Sequence, residues 1–70
     1  MNIDEAFRAG LALVQKAGLA ARGTDVQVIA AHDVFTRAAR PVEHDARFPA
    51  DGPRYAMRII LEAYARPAVV

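Results

Sequence analysis

The sequence predicts an all-α fold, a compact domain of three helices. Three observations carry that expectation. Apolar residues recur every three to four positions in three separate stretches. Most of the glycines and prolines fall at the borders of those stretches, where they punctuate helices. Alanine, the strongest helix former, supplies much of the 54% hydrophobic fraction, which also argues against disorder.

The first helix is expected at about 3–17. Asn2 or Asp4 can cap it, and the early acids Asp4 and Glu5 suit the positive end of its dipole. Ile3, Ala6, Phe7, Gly10, Leu13, Val14 and Ala17 share one face, while Asp4, Glu5, Arg8, Gln15 and Lys16 share the other. Ala6, Gly10 and Ala17 make a small-residue groove in the apolar face. Gly10 costs about 1 kcal/mol relative to alanine inside a helix, and close approach of another backbone would account for it. Gly18 is a suitable C-terminal stop.

The second helix is expected at about 25–39, with Thr24 as its N-cap. Val28, Ala31, Val34, Phe35 and Ala38 form its apolar face; Asp33, Thr36, Arg37 and Arg40 lie opposite. Residues 25–31 alternate well enough to be a short strand as well. The helical period continuing through Phe35 and Ala38 decides for helix. Pro41 ends it, because the residue before a proline is pushed out of helical geometry. Residues 41–52 are then a loop, with Phe48 pinning it to the core.

The third helix is expected at about 53–66, capped by Asp51, with Pro53 in its first turn and Pro67 as its stop, before an apolar tail of Ala68, Val69 and Val70. Its apolar arc is wide. At about 100° per residue, Ala56, Met57, Ile59, Ile60, Leu61, Ala63 and Tyr64 sweep roughly 200°, against the roughly 100° one core requires. Arg58, Glu62 and Arg66 hold the remaining side. A helix with two apolar sides wants two partners.

Composition narrows the function. The 70 residues form one expected domain, and a single core of this size contributes about 3–5 kcal/mol unless disulfides, metals or oligomerisation assist. There is no cysteine, which removes disulfides and thiolate metal sites. A net charge of +1 with mixed signs speaks against a nucleic-acid mimic and against a basic DNA-binding arm. No leader-like pattern and no apolar run of membrane-spanning length occurs, so a soluble, cytoplasmic protein is expected, with no membrane partner.

Catalytic equipment is sparse. There is no serine, the two threonines are Thr24 and Thr36, and the glycines at 10, 18, 23 and 52 build no phosphate loop. The dipeptides His32-Asp33 and His44-Asp45 suit metal ligation, but with only two histidines a satisfied, half-buried His32 is the simpler reading. Neither an enzyme, a cofactor nor a metal is expected.

The expected function is a small protein–protein interaction module, a regulator or inhibitor that occupies a partner surface. Small chains without catalytic equipment are frequent among regulators carried by phages and mobile elements, including inhibitors of host machines. The expected contact stripe is Tyr55, Met57, Leu61 and Tyr64 with Arg54 and Arg58 at its rim, since aromatic, methionine and arginine side chains are enriched at interfaces. A larger protein or a second copy forming a homodimer would cover it.

The alternative is a helix-turn-helix-like DNA-binding transcriptional regulator. With Gly18 at the turn, the small residue expected four places earlier is Val14. With Gly23 there, Ile29 fits, but Leu19 replaces the small residue and His32 falls at a core position. Arg37, Arg40 and Arg47 are the candidate anion or nucleic-acid contacts, a thin basic face.

Overall fold

The computed structural model describes residues 1–66 and consists of α1 (Ile3–Lys16), α2 (Val26–Ala39), a 3₁₀ turn (Arg40–Val42) and α3 (Phe48–Ala65). The fold is the expected all-α, three-helix one, and no strand occurs among the described residues. The expected stop at Pro67 and the apolar tail beyond it lie outside the described residues.

Local chemistry sets the ends of α1. The Asn2 side-chain oxygen accepts the Glu5 N–H at 2.8 Å. At the other end Gly18 adopts φ +73°, its N–H donates to Gln15 O at 2.9 Å, and the Leu19 N–H donates to Val14 O at 3.0 Å. This pair of bonds is a Schellman stop, and it satisfies carbonyls that would otherwise be orphaned. Leu13 and Ala17, expected on the inner face, are exposed.

The second helix is capped one residue later than expected. Asp25, not Thr24, accepts the Gln27 N–H at 2.8 Å. Residues 26–31 are therefore helical, which resolves the strand alternative. The inner face holds Val28, Ala31, Phe35 and Ala39. Val34 and Ala38 are exposed, a correction to the expected apolar face.

The third helix begins at Phe48, five residues earlier than the proline rule placed it. Pro49 occupies the first turn, so Asp51 is not the cap and Pro53 lies inside the helix. Phe48, Gly52, Ala56, Ile59 and Ile60 are buried, so the apolar row runs unbroken through Pro53. The expected loop at 41–52 shrinks to the 3₁₀ turn and a short connection. Phe48 does anchor that region, as the first residue of the helix.

α3 packs against both α1 and α2, which touch each other far less. Its wide apolar arc therefore finds both partners inside the chain. Against α1 the approach is very close. A Cβ on Gly10 would lie 2.7 Å from Pro53 O and 2.8 Å from Ala56 Cβ, and a Cβ on Gly52 would lie 2.9 Å from Ala6 Cβ. Ala6 and Gly10 on one helix thus mesh with Gly52 and Ala56 on the other. Against α2 the contact is aromatic. Phe35, fully buried, lies 5.8 Å from both Phe7 and Tyr55 between ring centroids.

Candidate functional site

The expected contact stripe on α3 is not one surface. At about 100° per residue, Tyr55 lies roughly opposite Met57 and Tyr64, so the two groups border different neighbours. Tyr55 leans on Phe35 of α2, with the Arg58 guanidinium 4.7 Å above its ring. Met57, Leu61 and Tyr64 are half-buried against the core.

Tyr64 is tied to the connection between α1 and α2. Its hydroxyl accepts the Ala21 N–H at 3.1 Å, and Gln15 Nε2 donates to Ala21 O at 2.7 Å. Both polar groups of Ala21 are thereby satisfied by side chains from α1 and α3. Burial, helped by the Asp25 carboxylate, pushes the Tyr64 phenol above its ordinary value. Across the same end of the molecule Gln27 Nε2 donates to Ala63 O at 3.2 Å. Of the six expected partner-binding residues, Arg54, Tyr55 and Arg58 are exposed, on the rim of a shallow notch that Asp51 completes.

The arginines expected to grip an anion are largely engaged. Arg37 pairs with Asp33 at 3.0 Å, one helical turn away. Arg47 pairs with Asp45 at 3.5 Å while its own N–H donates to the same carboxylate at 2.8 Å. That backbone bond, with the guanidinium beside it, holds Asp45 below the usual carboxylate range. Arg40 is exposed at the end of α2.

Neither histidine joins a metal set. His32 Nε2 lies 3.2 Å from Asp4 Oδ1, and its ring meets Phe7 edge-on at 4.7 Å, the satisfied and half-buried position expected for it. His44 is exposed, 3.8 Å from Glu43. Among the described residues no group of three His, Asp or Glu side chains is placed to hold a metal ion.

A cleft of about 300 Å³ opens where α2, the 3₁₀ turn and α3 meet, floored by Val42, Phe48 and Tyr55 with Asp45, Arg47 and Asp51 among its lining. It is at the lower limit for a small-molecule pocket. Among the described residues no polar or charged side chain is buried, so nothing holds a ligand's orientation from below.

The unexpected surface is the outer face of α2. Val26 is 79% exposed, Ile29 57% and Val34 52%, and Ala30 and Ala38 are exposed beside them. Val26, Ala30, Val34 and Ala38 stand four residues apart and form one row along the helix. The row borders a shallow groove between α2 and α3, lined by Gln27, Val34, Ile59, Glu62, Ala63 and Arg66. The signal was present in the sequence. Val26 and Ile29 fall outside the helical arc of Val28, Ala31, Val34 and Phe35, so they had to point outward.

No protein-family model, no curated protein and no solved structure matches this chain.

Proposed function

We propose that this chain is a small, non-enzymatic protein-interaction module, a regulator or inhibitor that works by occupying a partner's surface through the outer face of α2. The observation that carries the reading is the exposed row of Val26, Ala30 and Val34, with Ile29 exposed on its flank, beside a groove that continues the apolar surface onto α3. Several exposed apolar residues aligned on one helix face point to an interaction site, whereas single scattered ones do not. The same face disfavours the DNA reading. Its charges are the self-paired Asp33 and Arg37 and the exposed Arg40 at its end, a thin positive charge for phosphates.

Affinity capture from the native host with three immobilised proteins tests this reading. The wild type and Leu13→Asp, which alters an exposed residue of α1, should retain the same partner. The double variant Ile29→Asp/Val34→Asp should lose it at least tenfold while its helical circular dichroism stays unchanged. Equal retention by all three would refute the assignment. Retention on duplex DNA that falls steeply with salt would replace it with the DNA reading.

A further inference from the structure

The outer face of α2 has a symmetry of its own, and resting on the interaction-module reading we infer that its occupant is a second copy of this chain, packed antiparallel about a two-fold axis at Ala30. The row Val26, Ala30, Val34 is a palindrome with a small residue at its centre. An antiparallel crossing centred on Ala30 places each Val26 against Val34 of the partner subunit. The central alanines allow the two backbones to approach closely.

Charge complementarity across that axis agrees. Gln27 bonds to Ala63, and Phe35 stacks beside Tyr55, so α2 and α3 run antiparallel and Ile60 lies level with Ala30. A two-fold axis at that level brings Glu62 opposite Arg58 of the partner subunit, and Arg58 opposite Glu62 of the partner subunit. Both side chains are exposed, and neither has an ion-pair partner among the described residues. Tyr55 steadies the Arg58 guanidinium from below. The other α2 registers that bury Val26 and Val34 do not make this reciprocal pair.

The available face is small, so the dimer it would form is weak and reversible. The 14 residues of α2 span about 21 Å, and two helices side by side about 20 Å, giving roughly 420 Å² in projection. That is about half of the roughly 800 Å² per partner of a standard interface. A face this small associates reversibly, so concentration is part of the test.

Sedimentation of the full chain from about 10 μM to about 1 mM, the span of dissociation constants open to such a contact, should show a monomer–dimer equilibrium. Because the chain lacks cysteine, Ala30→Cys gives a single thiol on the axis. Under mild oxidation it should form disulfide-linked dimers at least tenfold faster than Lys16→Cys on α1. Glu62→Arg should weaken the dimer at least tenfold, and adding Arg58→Glu should restore it. A monomer throughout the range, cross-linking no faster than the Lys16→Cys control, or failure of the double reversal would each overturn the inference. Host-partner capture that depends on Ile29 and Val34 while self-association is absent would overturn the dimer alone and leave the interaction module standing.

Discussion

Gly10→Ala separates the packing account of this fold from a propensity account. By helix propensity alone, alanine in the middle of α1 should stabilise by about 1 kcal/mol. The structure demands the opposite. The new Cβ would lie 2.7 Å from Pro53 O, 2.8 Å from Ala56 Cβ and 2.9 Å from the Met57 nitrogen. Each of these is a backbone or Cβ atom of α3, so no flexible side chain can turn away. Relief requires the two helices to separate by several tenths of an ångström along their closest crossing. Overpacking costs about 1–3 kcal/mol, and three rigid contacts argue for the upper end. Subtracting the propensity gain leaves a net loss of about 2 kcal/mol. For a domain of this size each kcal/mol moves Tm by about 4–8 °C, so the melt followed by circular dichroism should fall by roughly 8–16 °C. Gly23→Ala is the control, since a Cβ there meets nothing within 4 Å and the residue does not have positive φ. It should be neutral or slightly stabilising. A Gly10→Ala protein as stable as the wild type would refute the close crossing.

Phe35→Ala removes the ring that joins all three helices, and a loss of about 3–5 kcal/mol equals the whole stability expected at this size. The variant should show no cooperative melt at 25 °C, and a retained melt would place the core elsewhere. Tyr64→Phe deletes the hydroxyl that accepts the Ala21 N–H, at a cost of about 0.5 kcal/mol because the bond is exposed to water. It should also change the alkaline response. A phenol held above its ordinary value of 10.0 favours the folded state fully below that pH and loses the contribution as pH rises past it. Urea midpoints at neutral pH and above pH 10 should therefore fall less in the variant, and equal falls would count against the latch.

Much of this fold was legible because its signals are local. The Asn2 cap, the Gly18 stop and the Asp33–Arg37 pair each involve residues a few positions apart, where the chemistry of one turn decides the outcome. Even the close helix crossing left a trace, since Gly10 inside an otherwise good helix has a cost that some neighbour had to explain. The start of α3 was missed because Pro49 and Pro53 both satisfy the first-turn rule. Spacing favours the earlier one, as Phe48, Gly52 and Ala56 extend the buried row by whole turns. The expected contact stripe divides between two sides of α3 for a different reason. Periodicity says which residues share a face, but it does not say how many neighbours the fold supplies to that face.

Helix order in space decides which apolar surplus stays open. α3 meets both other helices, so its wide arc is consumed internally. α1 and α2 are outer helices and need only one apolar side. α1 conforms apart from Leu13, with Asp4, Glu5, Arg8 and Lys16 exposed. α2 does not conform, because Val26, Ile29 and Val34 occupy exposed positions where lysine or glutamate would serve better twice over. β-branched side chains lower helix propensity there, and they gain no burial within the chain to offset it. The same sequence charges the outer faces of α1 and α3, so composition alone does not force valine and isoleucine outward on α2. A local choice that contradicts both propensity and patterning, with no return in the monomer, is one that the proposed contact would account for. That argument supports the proposed surface on α2 whatever covers it, and the palindrome about Ala30 is the reason for proposing a second copy.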